Sequence, residues 1–256
     1  MRVAFYAAVL AAIFASCAGA AGVARNENFS VYVPETAVAG QAQRFADLLL
    51  ERAQTYRSEI ATEWLGEELP AGAGRATIYV EISSVEDVGL TWAKDNAERR
   101  SHTIWLKTSP RLAVGETLKH EVGHAVFATR YPSPNRLPSW VEEGIASGYD
   151  DAIRKDAREQ LLRSWVRTGR AAQLEHVLES SDLRSFDEYS YAAATSLVSL
   201  LIERGERQTV LRFAEDGQRS GWTAALRAHY GIQSLDELQA QWEAWLAGKF
   251  NSAGAR

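Results

Sequence analysis

Hydrophobic periodicity divides the chain into a mixed first part and a helical second part. Apolar and polar side chains alternate at residues 28–33, 76–82 and 102–107, which is the period of a half-buried β-strand. Residues 36–60 instead repeat apolar positions every three or four residues, as an amphipathic helix does. Residues 84–100 are polar and irregular, and we expect a loop there.

A second amphipathic helix is predicted at residues 111–130, because Pro110 suits a helical first turn and an apolar stripe follows it. At 100° per residue the stripe is narrow; its members are Val114, Leu118, Val122, Ala125 and Thr129. His120, Glu121 and His124 fall on the opposite side. One face of this helix is therefore expected to enter the core, and the other to face a cleft.

The remainder of the chain is predicted to be helical. Three prolines in residues 131–138 end the helix at 111–130, and Ser139 is a plausible N-cap for the next one. Gly231 has the place of a residue that ends a helix in the left-handed conformation, and Ser234 opens a capping box. Further helices are predicted at residues 152–168, 189–204, 206–216, 221–230 and from 235 onward.

This order of elements predicts an α+β fold, with a small mixed or antiparallel sheet packed on helix 111–130 and a mostly α-helical lobe after it. We assign residues 21–256 to one domain, with the sheet and that helix in 28–130 and the helical lobe in 139–250. A length of 256 residues and a hydrophobic content of 46% suffice for one substantial core. A net charge of −5 without any run of basic residues argues against a nucleic-acid partner.

The first 20 residues have the features of a secretory signal. Arg2 precedes an apolar run at residues 3–15 that is too short to span a bilayer, and residues 18–20 fit a cleavage site. Cys17, the single cysteine, also fits a bacterial lipobox, except that Phe14 stands where Leu is usual. Secretion and lipid anchoring at Cys17 are both open, and an uncleaved anchor helix is a third alternative. The first two place the folded domain in the periplasm, the cell envelope or the extracellular space, without a transmembrane span.

The chemistry of the chain centres on His120-Glu121-Val122-Gly123-His124. Histidines at i and i+4 lie on one face of a helix and can bind one zinc ion. A catalytic zinc takes three protein ligands and leaves a position for water, and Glu143, further along the chain, supplies a third ligand. The adjacent Glu142 points about 100° away from it on a helix.

Glu121 is predicted to serve as general base and then general acid, and not to bind the metal. Zinc lowers the pKa of a bound water to about 7, so that Glu121 can accept its proton and pass it to the leaving amine. A structural zinc site is less compatible with this sequence, since such sites usually have four ligands and often use cysteine. The remaining histidines, His102, His176 and His229, are expected to be packed or on the surface.

These residues resemble the gluzincin clan of zinc metallopeptidases, and in particular the bacterial exported peptidase MA-like group. The resemblance lies in His120-Glu121-x-x-His124, then eighteen residues, then Glu143 in Trp140-Val141-x-Glu143-Gly144-x-Ala146. It implies a thermolysin-like catalytic fold, with His120, His124 and Glu143 as ligands and Glu121 as the base. It also implies that strand 102–107 is an edge strand able to pair with an extended peptide.

The chain departs from that family pattern at two places and matches it at a third. It lacks the Gly-x-Met-x-Asn segment of gluzincin aminopeptidases, and Ser147 stands where thermolysin-type enzymes have an aspartate. The family's Tyr-Ala-x-x-x-Ser-x-Val stretch is matched from Tyr191, which we favour as the donor to the oxyanion. Tyr189 on the same helix is the alternative, and both tyrosines being core aromatics is the third possibility.

The leading hypothesis is an exported zinc endopeptidase that acts on peptide or protein substrates. The same metal chemistry acting on a non-peptide amide stays open. The alternative from a different class is an envelope binding module with little or no turnover, which the intact set of His120, Glu121, His124 and Glu143 argues against.

Overall fold

The computed structural model describes residues 20–251, apart from 36–39, 96–99, 182 and 184–187. Cys17 and nearly all of the predicted export signal lie outside the described residues. The chain forms two compact units. We call the first, residues up to 63 and 67–134, the sheet unit, and the second, residues 64–66 and 135 onward, the helical unit.

The sheet unit is built on five strands, namely β1 (Ala20–Arg25), β2 (Phe29–Pro34), β3 (Arg75–Ile82), β4 (Val88–Asp95) and β5 (Arg100–Thr108). Their spatial order is β1-β2-β3-β5-β4. Strands β2, β3 and β5 run parallel, while β1 and β4 are antiparallel to their neighbours at the two edges. The sheet is therefore mixed, and with the helices it confirms the predicted α+β class.

The described residues of this part of the chain also form three helices, α1 (Ala42–Leu65), α2 (Pro110–Ala113) and α3 (Glu116–Arg130). Helix 111–130 is thus interrupted. The Ser109 hydroxyl accepts the backbone N–H of Leu112 and caps α2, and Gly115 then separates α2 from α3. Apolar side chains of the inner sheet face, α1 and α3 are fully buried, among them Val31, Leu49, Ile78, Ile104, Leu118 and Val122.

Two predictions about the sheet are wrong. Residues 84–100 are not a loop, since they contain β4, which pairs with β5 along its whole length. Strand 102–107 is not at the edge, because β5 lies between β3 and β4. Both errors have the same cause, namely that β4 is not among the predicted strands. Its apolar residues Val88, Leu90 and Trp92 alternate with small or polar residues, and charged residues stand at both ends.

The helical unit contains α4 (Ser139–Ala146), a 3-10 turn (Ser147–Tyr149), α5 (Ala152–Thr168), α6 (Leu174–Glu179), α7 (Glu188–Arg204), α8 (Arg207–Ser220), α9 (Trp222–Tyr230) and α10 (Leu235–Asn251). Helix α7 is buried on most of its surface and contacts α4, α5, α6, α8 and α10. The helices predicted at 152–168 and 189–204 are confirmed to within one residue. In the part of the chain that is described, none of the helices is both long and apolar enough to cross a membrane.

Ser139 is not the N-cap that the sequence predicts. The cap residue of α4 is Pro138, whose fixed backbone suits the start of a helix, and Ser139 is the first helical residue. The Ser139 hydroxyl instead donates to the carbonyl of Ser180 at 3.2 Å and accepts the N–H of Leu183 at 3.3 Å. The two other predicted caps are confirmed, since Gly231 ends α9 with φ of 69° and the Ser234 hydroxyl accepts the backbone N–H of Glu237 at 3.1 Å.

Candidate metal centre

Helix α3 brings the two motif histidines together. Their Nε2 atoms lie 3.1 Å apart, and their rings meet edge to face with centroids separated by 4.9 Å. Two imidazole nitrogens on one tetrahedral zinc ion, each at 2.0–2.1 Å, would be about 3.3 Å apart. The observed separation is close to this value, and His120 is half-buried while His124 is buried.

The position of α3 is fixed from two sides. On one side the Tyr56 hydroxyl of α1 donates to the carbonyl of Val114 at 3.0 Å, just ahead of α3. On the other side the Asp87 carboxylate, at the start of β4, accepts hydrogen bonds from Thr108 of β5 at 2.6 Å and from Thr117 of α3 at 2.8 Å. This carboxylate links the ends of β4 and β5 to the first turn of α3.

Glu143 lies on α4 and is only 3% exposed. Its neighbour Gly144 packs directly on α7, where an added Cβ would lie 2.8 Å from the carbonyl oxygen of Ala194 and 2.8 Å from Cγ2 of Val198. A side chain at residue 144 would therefore push the two helices apart. The glycine keeps α4 close to α7 and so fixes the backbone that carries Glu143.

His120, His124 and Glu143 form a group that could hold a metal ion, since their ligand atoms all lie within 4.8 Å of one another. The donor set, two imidazoles and one carboxylate without a thiolate, is one that zinc accepts in catalytic sites. The sequence predicted these three ligands, and the described structure brings them together. The residues present thus fit a single divalent ion.

Glu121 is held by strand β4, which sequence reasoning had assigned to a loop. Its Oε2 atom accepts a hydrogen bond from the Thr91 hydroxyl at 2.6 Å, and the same hydroxyl oxygen lies 3.1 Å from the Glu121 carbonyl. Gly89 lies beneath the side chain: an added Cβ there would stand 2.4 Å from Oε1 and 2.6 Å from Cγ. Strand β4 therefore forms a close-fitting support for the Glu121 carboxylate.

The polar face of α3 is more enclosed than the helical pattern predicted. Glu121 is 4% exposed and His124 is 6% exposed, whereas His120 keeps partial exposure. That this face of the helix borders a cleft stays a prediction. Strand β4 accounts for the burial of Glu121, because Gly89 and Thr91 contact its side chain.

Ser147 stands where thermolysin-type enzymes have an aspartate, but its side chain forms no hydrogen bond to His120 or His124. It is fully buried, and its hydroxyl oxygen makes no hydrogen bond among the described residues. Its backbone carbonyl accepts from Arg158 at 3.3 Å, and Arg158 also forms a buried ion pair of 2.5 Å with Asp150. The next acid along the chain is thus engaged with the arginine of α5.

The two candidate tyrosines of α7 differ in their surroundings. Tyr189 is 55% exposed and its ring packs on Trp165 of α5, with centroids 5.5 Å apart. Tyr191 is half-buried and stands one helical turn before Ala194, the residue that Gly144 of α4 touches. Tyr191 therefore lies on the face of α7 that packs against α4.

The remaining histidines are packed or on the surface. His102 is buried, and its Nε2 lies 2.8 Å from the Thr129 hydroxyl. His176 is exposed on α6. His229 pairs with Asp216 at 2.7 Å, and this hydrogen bond is the main cause that lowers the pKa of the Asp216 carboxyl.

Gly89 and Thr91 contact the Glu121 side chain but are not among the site residues predicted from the sequence. A signal was available, because residues 88–93 alternate large apolar with small side chains in the period of a strand. Comparison with known proteins adds no further residue to the site: no family model matches the chain, and no curated protein matches it.

Proposed function

We propose that this protein is an exported zinc metallopeptidase that hydrolyses internal peptide bonds. The proposal is carried by one observation: His120, His124 and Glu143 form a group that could hold a metal ion, and a buried glutamate, Glu121, directly follows the first of these residues. Hydrolytic zinc sites combine three such ligands with a glutamate that moves protons. We propose further that the fold is thermolysin-like.

Each residue of the site has a distinct role in this proposal. His120, His124 and Glu143 would hold the zinc ion. When bound, zinc supplies Lewis-acid chemistry that lowers the pKa of water to about 7 and polarises the scissile carbonyl. The Glu121 carboxylate takes a proton from water as it attacks the carbonyl carbon, and then gives that proton to the leaving amine nitrogen. The Tyr191 hydroxyl donates to the carbonyl oxygen as its negative charge develops.

The substrate would pair with β4 as an additional strand. One side of β4 is hydrogen-bonded to β5, and the order of the sheet leaves the other side at the edge. Backbone N–H and C=O groups on such an edge can pair with an extended peptide whatever its sequence. Since β4 also contacts Glu121 through Gly89 and Thr91, a peptide on its outer side would run close to the base.

The function is tested by metal analysis together with the Glu121→Gln variant. We expect the wild type to bind one zinc ion per chain, measured by inductively coupled plasma mass spectrometry, and to cleave internally quenched fluorogenic peptides. Glu121→Gln should keep the zinc and lose on the order of 100-fold or more in kcat, because proton transfer by a placed carboxylate contributes about 10²–10⁴-fold.

Three outcomes would contradict the proposal. If the wild type binds no zinc, the proposed metal site is ruled out. A zinc-loaded wild type without hydrolysis would favour a binding module of the cell envelope. A Glu121→Gln variant as active as the wild type would exclude Glu121 as the base. Export is tested separately by the intact mass of the mature protein, which distinguishes cleavage near Ala20 from lipidation of Cys17.

A further inference from the structure

We infer that Thr91 is a positioning residue for the proposed reaction, because it orients the carboxylate of Glu121 so that one defined oxygen receives the proton. This inference rests on the proposed function and adds a residue to it. The contact comes from β4, a strand at the sheet edge, and reaches α3 in the middle of the zinc-binding motif. Nothing in the HExxH motif itself specifies such a partner.

The hydrogen bond from Thr91 is directed at one carboxylate oxygen. A threonine hydroxyl has a single proton, so it cannot donate fully to both oxygens within its reach. The distance to Oε2 of Glu121 is 2.6 Å and that to the Glu121 carbonyl is 3.1 Å, and the shorter of the two is the stronger hydrogen bond. The Thr91 hydroxyl proton therefore points towards Oε2, and this oxygen is already engaged in a hydrogen bond.

The second oxygen is confined without being bonded. Oε1 accepts no hydrogen bond from the residues that the structure describes, and it lies against the Cα of Gly89, where a Cβ would be 2.4 Å away. The side chain can keep this position only because residue 89 is a glycine. Oε1 is thereby left as the oxygen that accepts the proton of water.

The rigidity of this arrangement has a kinetic consequence. An unbonded carboxylate rotates about its last side-chain torsion, which is broad and roughly two-fold, and so presents either oxygen in many orientations. Proton transfer needs the acceptor within hydrogen-bond reach of the proton. Thr91 and Gly89 restrict the orientation before substrate arrives, so loss of the hydroxyl is expected to lower kcat and to leave KM nearly unchanged.

The test compares three variants of the full chain, with zinc added, on one internally quenched peptide. Thr91→Val keeps the shape and removes the hydroxyl; its kcat should fall by about 10–100-fold with the zinc content and KM of the wild type. Thr91→Ser keeps the hydroxyl and should recover most of kcat. Ser58→Ala is the control, since the Ser58 hydroxyl also donates to a carboxylate, that of Glu68, and neither residue belongs to the candidate site; its kcat should stay within about two-fold of wild type.

A second measurement does not depend on activity. In the metal-free protein, a double-mutant cycle of Thr91→Val and Glu121→Ala in urea unfolding should show coupling of roughly ten-fold in the unfolding equilibrium constant, as expected for a buried hydrogen bond between two side chains. Coupling close to one would overturn the inference by removing the contact itself.

Two further outcomes separate this inference from the proposed function. If the wild type hydrolyses the peptide and Thr91→Val retains wild-type kcat, or Ser58→Ala loses as much as Thr91→Val, the positioning role is wrong and the function stands. If the zinc-loaded wild type does not hydrolyse any peptide, the proposed function is wrong and the role of Thr91 is lost with it.

Discussion

Gly144 lies so close to Ala194 that a single added carbon would collide with its backbone. A Cβ on Gly144 would be 2.8 Å from the carbonyl oxygen of Ala194 and 2.8 Å from the Val198 side chain, where ordinary carbon contacts are longer. The oxygen belongs to the backbone of the buried helix α7 and cannot turn away as a flexible side chain would. The separation of α4 and α7, and with it the backbone next to Glu143, depends on this glycine.

Gly144→Ala is therefore expected to destabilise the protein and to weaken metal binding together. Overpacking of this kind typically lowers the free energy of unfolding by about 1–3 kcal/mol. Because α4 must shift to relieve the contact, Glu143 moves with it and zinc affinity should fall. Urea unfolding and competition with a zinc chelator would measure the two effects.

Gly148→Ala is the control for this prediction. Gly148 lies four residues later, in the 3-10 turn, and a Cβ there would meet no atom within 4 Å. This variant should keep both the stability and the zinc affinity of the wild type. Equal losses in both variants would show that the contact with Ala194 does not position Glu143.

The hydrogen bond between Asp216 and His229 should make stability depend on acid pH. It lowers the pKa of the Asp216 carboxyl in the folded state, whereas an aspartate side chain in the unfolded protein has a pKa of about 3.9. A lowered folded-state pKa stabilises the fold above the unfolded pKa, and the contribution disappears as pH falls through the folded pKa. Asp216→Asn should therefore be less stable than wild type at pH 5–6, with a difference that shrinks below about pH 4.

Chemical unfolding at a series of pH values measures that difference. Because the carboxyl is exposed to solvent, the effect should be small and should decrease with added salt. A stability difference that stays the same from pH 6 to pH 3 would mean that ionisation of Asp216 is not its source.

Much of the candidate site could be predicted because its ligands depend on local helical geometry. The spacing of His120 and His124 fixes both side chains on one face of a helix, wherever that helix packs. The apolar stripe through Leu118 and Val122 locates the same helix in the core, and the structure buries both residues completely. At Leu118 and Val122 the helical pattern of apolar residues in the sequence therefore agrees with the burial in the folded structure.

The support of Glu121 could not be predicted in the same way, because it depends on a contact between distant segments. Gly89 and Thr91 occupy the inward positions of β4, where a buried strand would ordinarily have large apolar side chains. Both residues are small because the Glu121 side chain packs there, and Glu121 is thirty residues after Thr91 in the chain. The apolar alternation of β4 marks its other face, where Val88, Leu90 and Trp92 pack against Trp105, and so does not reveal the face that supports Glu121.

Substituting each of two adjacent buried glutamates in turn distinguishes the candidate metal ligand from its neighbour. Glu142 and Glu143 are both buried on α4, 5% and 3% exposed, and Glu143 alone belongs to the group that could hold a metal. Glu143→Gln should raise the dissociation constant for zinc on the order of 100-fold, because a neutral amide replaces the anionic ligand; this corresponds to about 2.7 kcal/mol. The zinc-dependent rise in melting temperature should decrease accordingly.

Glu142→Gln makes the same chemical change one residue earlier and is the matched control. It should keep the zinc affinity of the wild type, measured by calorimetric titration of the metal-free protein, because its side chain points about 100° away from that of Glu143 on the helix. Zinc binding that is lost with Glu142→Gln and kept with Glu143→Gln would reverse the assignment of the ligand. Since the two variants remove the same charge from the same turn of α4, a change in net charge or in the dipole of that helix cannot produce a difference between them.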